Sequence, residues 1–368
     1  MPVWHDDILR QTSPQTGAHP LVVLLGPFPP PHGGVQTHLA ALWRYLRDGG
    51  IPCEVINLTR YRQQREEGVH VPENALEVVS LLWGRKAAII HLHFGGTLSP
   101  RLLGLSLFAS LLPGRRTVLT FHSGGYPTSD AGRALRPSSP AAFILRRLGA
   151  LIGVNNELSR YFVSLGADPA RVHTIVPFAL AETPAEGPLP EPLGGFFASC
   201  SHRIFSASGF EPEYNITSQF QAMGAIVERF PRAGLAIAGY GRREAEIRAA
   251  AAALPWKDRV LLCGDVPHAS VLAAMRDADV CLRTTLYDGD AISVREALAV
   301  GTPVIATDNG MRPPGVTLVP IDDSAALASA VIAQLEAGHK SASPAGTGME
   351  NLAAVAAVYR ALAGDMSR

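Results

Sequence analysis

The chain has 368 residues, and its 32 basic and 32 acidic side chains give it no net charge. With 47% hydrophobic residues, this length predicts two domains of ordinary size, each able to bury its own core. The balanced charge argues against a nucleic-acid partner, and the hydrophobic content excludes an intrinsically disordered chain. The four cysteines are too few and too scattered for a disulfide framework.

The N-terminal segment does not resemble a signal peptide, because residues 1–15 carry charges where an apolar stretch is needed. The longest apolar run, residues 102–114, is shorter than the ~20 residues that cross a bilayer. We therefore expect a cytoplasmic protein. The run itself predicts a helix packed on a sheet. Arginines flank it at positions 101, 115 and 116, and leave peripheral contact with an anionic membrane surface as the alternative.

Short apolar runs alternate with helical patterns along the chain, which predicts parallel sheets joined by crossover helices. The first half contains six candidate strands, at residues 21–26, 53–58, 87–93, 117–121, 151–155 and 172–176. Between the first two strands, apolar residues at helical spacing from Val35 to Leu46 predict a helix. This helix is expected to end at Gly49-Gly50.

Residues 179–195 crowd proline and glycine together without periodicity, which predicts a linker or hinge. The second half then repeats the alternation, with candidate strands at residues 203–209, 234–239, 259–264, 278–283 and 303–308. An amphipathic helix is predicted at residues 349–363. The expected organisation is an N-terminal Rossmann-like domain, a hinge, a second Rossmann-like domain and a final helix, at residues 1–178, 179–200, 201–345 and 346–368. Two such doubly wound α/β domains place a ligand in the cleft between them.

The loop after the first strand, residues 26–38, is the first candidate site. Gly33 and Gly34 open the following helix, so its free N–H groups and positive end suit a phosphate. The loop contains neither G-x-G-x-x-G nor a P-loop motif. A tight strand-to-helix turn without a ligand is therefore the alternative.

The segment 287–308 is the second candidate site. Asp288-Gly289-Asp290 predicts a turn, and the helix after it presents the N–H groups of Ile292 and Ser293 to an anion. Glu296 lies two turns after Asp288, so both carboxylates can face the cleft, where they suit a ligand rich in hydroxyl groups. The alternative is that the aspartates are turn and cap residues and that Glu296 is a solvated helix charge.

Histidines form the third group of candidates. His122 follows a strand and is expected at the edge of the cleft. His91 and His93 share one face of their strand, which a metal site could use. No third ligand of convincing spacing follows them, so we expect core or cleft-lining histidines and no metal.

Five segments in chain order resemble the family-4 (group 1) retaining glycosyltransferases of the GT-B fold. They are GGVQTH at 33–38, IIHLHFGG at 89–96, LTFHSGG at 119–125, residues 158–178, and DGDAISVREALAVGTPVIATDNG at 288–310. The last is the most specific, because it holds two carboxylates separated by seven residues. The resemblance implies a metal-independent enzyme without a cofactor that transfers a sugar from a nucleotide-sugar to an acceptor hydroxyl with retention. The implied acceptor is a polysaccharide, a glycolipid or a lipid-linked saccharide.

The resemblance also implies a role for each matching residue. Gly33 and Gly34 would lie against the donor diphosphate, and His122 would contact the donor sugar. Asp288 would bind sugar hydroxyls, and Glu296 would hold the ribose. The backbone around Cys263, Gly264 and Asp265 would contact the base.

Two departures from the family pattern bear on these roles. Asp288 stands where a glutamate is usual. Phe210 stands where the family has a diphosphate-binding arginine, and Tyr214 or Asn215 where it has a lysine. We expect Arg283 to supply the missing charge, because it ends a strand beside the acidic loop. The alternatives are Arg295, Arg242 and Arg203. The two departures also leave two other functions open. One is a degenerate GT-B protein that binds a nucleotide-sugar without efficient transfer, and the other is a nucleotide-sugar epimerase.

Overall fold

The computed structural model describes residues 21–30, 33–59, 66–180, 184–287, 291–338 and 346–366. Their strands form two parallel sheets, of seven and six strands. Helices lie on the faces of both sheets, as parallel sheets with crossover connections require. The predicted architecture of two doubly wound α/β units is confirmed.

The first sheet has the strand order β3-β2-β1-β4-β5-β6-β7. Its strands are β1 (Val22–Gly26), β2 (Cys53–Asn57), β3 (Val69–His70), β4 (Ile89–Phe94), β5 (Arg116–Phe121), β6 (Ala150–Gly153) and β7 (Val172–Thr174). The accompanying helices are α1 (Gly34–Asp48), α2 (Ala75–Gly84), α3 (Pro100–Leu111), α4 (Asp130–Ala134), α5 (Pro140–Arg147) and α6 (Asn156–Ser164). Strands β1 and β4 are buried along their whole length, since each is paired on both sides and covered on both faces.

The second sheet has the strand order β10-β9-β8-β11-β12-β13. Its strands are β8 (His202–Ala207), β9 (Ala233–Ala238), β10 (Val260–Gly264), β11 (Val280–Arg283), β12 (Val304–Thr307) and β13 (Val316–Val319). Its helices are α7 (Leu193–Ser199), α8 (Ile216–Arg229), α9 (Glu244–Ala252), α10 (His268–Asp277), α11 (Ile292–Ala299) and α12 (Ser324–Ala337), and the last helix of the chain is α13 (Met349–Met366).

Each sheet reverses its strand order once, between β1 and β4 in the first and between β8 and β11 in the second. In doubly wound sheets such a reversal opens a crevice outside the carboxyl ends of the strands, where ligands bind. The residues at these carboxyl ends are Gly26 and Phe94 in the first sheet and Ala207 and Arg283 in the second. The topology therefore predicts a ligand site at these four strand ends.

Helix α13 follows the second domain in sequence but packs against the first. Leu352, Val355 and Tyr359 are buried in the same cluster as Val22 of β1 and Leu42 of α1. Burying an aliphatic side chain of this size contributes about 1.5–3 kcal/mol, so α13 is held on the first domain by several such contacts. The chain thus crosses between the domains a second time.

A short helix lies inside the segment predicted as a linker. Leu193 and Phe197 of α7 are one turn apart and are both buried against the second sheet. This apolar pair anchors residues 193–199, so the irregular connection before β8 is shorter than its proline and glycine content indicates. Residues 181–183 of the predicted linker lie outside the described residues.

No helix in the described part of the chain is long and apolar enough to cross a membrane.

Candidate active site

A cavity of about 410 Å³ lies between the two domains at the carboxyl ends of the strands. The first domain contributes Gly33, Gly34 and Thr37 to its wall. The second domain contributes residues that follow β8, β9 and β10, together with Arg283 and the start of α11. The two glycines therefore lie in the interdomain cleft, where the sequence predicted a phosphate.

Two helices begin at this cavity and face each other. Gly33 is the N-cap of α1, and Ala291 is the N-cap of α11. Neither has a side-chain capping hydrogen bond among the described residues, so first-turn N–H groups are left for a ligand. A Cβ atom built on Gly34 would lie 3.4 Å from Cδ1 of Ile292. Two positive helix ends thus converge on one space, which suits an anion.

Glu296 lies in the cavity wall and is only 5% exposed. The imidazole of His268, at the start of α10, meets it, with 2.7 Å between Nε2 of His268 and Oε1 of Glu296. The interpretation of Glu296 as a solvated helix charge is therefore wrong, because α11 turns this carboxylate inward. A carboxylate held in this way has a second oxygen for hydroxyl donors of a ligand.

Arg283 lies at the end of β11, in the same wall, and is 8% exposed. Its guanidinium donates to the carbonyl of Ala207 at 3.2 Å and lies 3.5 Å from Oγ of Ser293. The ring of Tyr214 supports it from one side, with its centroid 4.7 Å from Cζ of the arginine. A cation is thus held next to the N-terminus of α11.

Two of the other arginines considered for this role are each paired with a carboxylate. Arg242 pairs with Glu211 at 3.0 Å, and Arg203 lies 3.8 Å from Asp279. Phe210, at the position of the family arginine, is fully buried in the core of the second domain. It shapes the loop after β8 and offers no polar group to the cavity.

Of the three residues expected to contact the base, two line the cavity and one does not. Gly264 and Asp265 line the cavity, whereas Cys263 is not among the lining residues. Burial raises the pKa of the Cys263 thiol to about 12. Its side chain therefore belongs to the packing of β10, and only the neighbouring residues face the cleft.

Several lining residues were not predicted from the sequence. Glu211 and Glu213 come from the loop after β8, and Gly239 and Gly241 from the loop after β9. A Cβ on Gly239 would lie 1.8 Å from the carbonyl oxygen of Ser208, so only glycine allows these two loops to pack. The sequence feature that could have predicted the two glycines is their position directly after a predicted strand. No sequence feature indicates His268, since its role depends on contact with Glu296.

His122 is not among the residues that line this cavity. It lies directly after β5 with its Nε2 3.2 Å from Nδ1 of His93, and its ring centroid is 5.4 Å from that of His38. Burial and the neighbouring histidines lower its pKa well below 6.5, so it is neutral at pH 7. His91 shares a face of β4 with His93, as expected, with ring centroids 4.0 Å apart, and its ring nitrogens bond Tyr359 and Thr120.

Asp288 and Gly289, predicted to bind the donor, lie outside the described residues. The helix they precede is described from Ile292. Their roles stay predictions.

A second, largely apolar groove of about 710 Å³ lies on the first domain. It runs between α2 and α3 and is lined by side chains that include Val78, Leu102 and Phe108. The same two helices expose large apolar side chains: Leu76 at 81% and Trp83 at 66% on α2, and Leu111 at 59% on α3. The helix predicted from residues 102–114 therefore forms one side of an open groove and is not fully covered.

Two sequence models match the chain, one in each domain. Residues 19–177 match "Glycosyl transferase 4-like domain", and residues 201–337 match "Glycosyl transferases group 1". The chain belongs to the group 1 glycosyltransferases. The predicted family is thereby confirmed, and the two matched segments follow the two sheets.

Relatives of this glycosyltransferase include two mycobacterial proteins named phosphatidyl-myo-inositol mannosyltransferase. The protein of Mycolicibacterium smegmatis is 28% identical over 335 residues, which cover 83% of this chain and 81% of that protein. The protein of Mycobacterium leprae is 27% identical over 334 residues, covering 82% and 84%.

Solved structures confirm the GT-B fold of the glycosyltransferase. Anabaena Alr3699/HepE in complex with UDP-glucose has a TM-score of 0.63 at 17% identity, covering 95% of this chain and 100% of that one. The catalytic domain of starch synthase IV from Arabidopsis thaliana, bound to ADP and acarbose, has a TM-score of 0.65 at 13% identity, covering 94% and 100%. Since both sequence models describe glycosyltransferase domains, the degenerate or epimerase alternative is not favoured.

Proposed function

We propose that this glycosyltransferase moves a sugar from a nucleotide-sugar to an acceptor hydroxyl with retained anomeric configuration and without a metal. The observation that carries the proposal is the pair of helix N-termini, at Gly34 and Ile292, that meet across a cavity walled by Glu296 and Arg283. These groups match the parts of a nucleotide-sugar: an anionic diphosphate and a ribose that donates hydrogen bonds.

The donor is oriented by groups along the cavity. Gly33, Gly34 and the N–H groups of Ile292 and Ser293 take the diphosphate. Glu296 accepts hydrogen bonds from the ribose, and Gly264 with Asp265 lies toward the base. His122, with Asp288 and Gly289 of the acidic turn, takes the sugar. The residues assigned to the diphosphate, the ribose and the base all line this one cavity, which supports that part of the assignment.

Transfer then proceeds on one face of the sugar. The acceptor oxygen forms a bond to the anomeric carbon while the bond from that carbon to the diphosphate oxygen breaks. The acceptor's proton passes to the leaving phosphate oxygen, so no separate general base is needed. The enzyme acts by positioning and by stabilising negative charge on the leaving group, the task of the two helix ends and a cation.

Arg283 supplies that cation. Its guanidinium is held beside Ser293 and against the Tyr214 ring, so it meets the developing charge without a large rearrangement. Tyr214, which with Asn215 is one of the two residues that could stand where the family has a lysine, acts by supporting the arginine.

The acceptor is a glycolipid, bound at the surface of the first domain. The groove between α2 and α3 has the apolar lining that an acyl chain needs. The helices that form the groove expose Leu76, Trp83 and Leu111, and the cationic Arg101 is among the residues that line it. Each such cation near an anionic lipid surface contributes about 1 kcal/mol. The mycobacterial relatives, named for a phosphatidyl-myo-inositol, agree with this acceptor class.

The donor is tested by thermal unfolding with UDP-, GDP-, ADP- and dTDP-sugars in EDTA. A ligand at 100 times its Kd adds about 2.7 kcal/mol of stability, so the true donor raises the melting temperature visibly. The anomeric configuration of the product, read from proton couplings in NMR, decides retention. An inverted product, or transfer that stops in EDTA, contradicts the proposal.

The acceptor surface is tested by sedimentation with vesicles that contain phosphatidylinositol. The double variant Leu76→Ser and Trp83→Ser should lose vesicle binding but keep the donor-induced thermal shift. Leu318→Ser is the matched control, since Leu318 is a 48% exposed leucine on the second domain. Equal vesicle binding by both variants contradicts the assigned surface.

A further inference from the structure

Three imidazoles converge at the carboxyl edge of the first sheet. His93 lies on β4, His122 directly after β5, and His38 on α1, one turn beyond Gly34. One ring nitrogen of each lies within 4.8 Å of those of the other two. His38 and His93 are 2% and 0% exposed, whereas His122 keeps some contact with solvent. The cluster is therefore buried at His38 and His93 and partly exposed at His122.

The ring nitrogens of this cluster are not all satisfied by hydrogen bonds to other described parts of the protein. Nδ1 of His38 is buried without a hydrogen-bond partner in the described part of the chain, and Nδ1 of His93 meets another imidazole nitrogen, Nε2 of His122. Buried polar atoms are normally paired, and an unpaired one in a folded protein calls for a physical explanation. His91 shows the contrast, since both of its ring nitrogens have partners, at Tyr359 and Thr120.

We propose that His38, His93 and His122 form a binding site for a transition-metal ion of the zinc class. Three histidines with an open fourth position are a ligand set that Zn²⁺ takes. At Zn–N distances of about 2.0–2.1 Å, tetrahedral ligand nitrogens are about 3.3 Å apart. Nδ1 of His93 and Nε2 of His122 are already 3.2 Å apart, and a ring nitrogen of His38 lies within 4.8 Å of those of the other two.

The chemistry of the donor set selects among metals. Imidazole nitrogen suits Zn²⁺, Co²⁺, Ni²⁺ and Cu²⁺, while Mg²⁺ and Ca²⁺ require oxygen ligands. Metal ligands must also be unprotonated. Burial lowers the pKa of His38 to about 4, and the pKa values of His93 and His122 are also lowered. The three rings are therefore neutral and ready to bind at pH 7.

Occupation of the site is expected to inhibit transfer, a consequence that rests on the proposed function. His122 is the ring assigned to the donor sugar, and a metal on one of its nitrogens fixes its orientation toward His38 and His93. The same ring cannot then turn to the sugar. Metal and productive donor binding therefore exclude each other, although the reaction itself uses no metal.

The site is tested with CoCl₂, whose visible absorption is strong in four-coordinate nitrogen sites and weak in water. The EDTA-treated, dialysed full chain should bind one Co²⁺ with such a spectrum, and ZnCl₂ should displace it. Outer-sphere partners alone change metal affinity about 10–100-fold, so His38→Gln, which removes a direct ligand, should weaken binding by more. His202→Gln, a histidine of the second domain, is the control and should match the wild type. His122→Gln provides an independent loss if His38→Gln does not fold.

Transfer is measured in parallel, in EDTA and with added ZnCl₂. The wild-type enzyme should be inhibited by Zn²⁺ and restored by EDTA, and the ratio of the two rates should approach one in His38→Gln. An absent Co²⁺ spectrum, or one unchanged in both His38→Gln and His122→Gln, overturns the site. If Zn²⁺ binds but does not inhibit transfer, the claim that metal and productive donor binding exclude each other is wrong. The Co²⁺ spectrum tests the metal site even if no donor supports transfer. Failure of the metal site and failure of the proposed function can therefore be told apart.

Discussion

Gly34 of the first domain and Ile292 of the second face each other across the interdomain cleft, each as the first residue of a helix. The distance from a Cβ on Gly34 to Cδ1 of Ile292 would be 3.4 Å, an ordinary contact that the fold accommodates. An alanine at position 34 would therefore fit beside Ile292. Both residues also line the interdomain cavity, so a ligand in that cavity can approach both helix ends.

Gly34→Ala is expected to separate stability from binding. Gly34 is the first residue of α1, and an added Cβ would make only an ordinary contact with Ile292, so unfolding should occur at about the same temperature. The added methyl group keeps the diphosphate from the α1 N–H groups, and loss of one charge-assisted hydrogen bond, about 1.5–3 kcal/mol, weakens nucleotide binding about 10–100-fold. Calorimetric titration with the nucleoside diphosphate measures this. Gly84→Ala, at a helical glycine with open space around its Cβ position, should bind normally.

Glu296→Gln is expected to weaken donor binding through the ribose. The variant keeps the shape of the side chain but loses the negative charge that strengthens the hydrogen bond from the ribose hydroxyl. Loss of this charge-assisted bond should weaken donor binding by about 1.5–3 kcal/mol, or raise KM about 10–100-fold. A donor with a deoxyribose isolates this contact. The wild-type enzyme should lose affinity for the deoxy donor, whereas Glu296→Gln should bind both donors equally. An equal loss in both proteins would assign the ribose to another residue.

Arg283→Ala is expected to reduce transfer far more than it reduces stability. The guanidinium is the cation held beside the start of α11, and removing its charge-assisted bond to the leaving diphosphate should slow kcat about 10–100-fold. Added methylguanidinium should restore part of the rate. Arg229→Ala is the control, because Arg229 is exposed and pairs with Glu336, and neither residue lines the cavity. Unchanged turnover in Arg283→Ala excludes the role.

The sequence predicted the buried strands because a strand covered on both faces needs a continuous apolar run. Two edge strands were missed for the same reason. β3 has only two residues, and β13 is paired on one side, with Leu318 48% exposed. The helix α7 was missed because proline and glycine dominate its surroundings, and only the pair Leu193 and Phe197 indicates it.

The candidate site was predictable where residues lie beside the ends of strands. Gly33, Gly34, Arg283 and Glu296 all line the cavity, as expected from chain order and motif. His268 and the histidine cluster were not predicted, because each depends on side chains that meet only after folding. The contact between His268 and Glu296 spans 28 residues, and that between His93 and His122 spans 29. No local pattern encodes these contacts.

Tyr359→Phe is expected to destabilise the first domain, although the residue lies near the end of the chain. The hydroxyl of Tyr359 shares a hydrogen bond with Nδ1 of His91, and both side chains are buried. Removing the hydroxyl leaves that nitrogen unpaired in the interior, which costs about 1–3 kcal/mol. The free energy of unfolding, from urea titration of the full chain, measures this. Tyr287→Phe is the control: Tyr287 is 69% exposed, and such a surface change should stay within about 0.5 kcal/mol. Equal stabilities for the two variants would mean that α13 is held on the first domain by apolar packing alone.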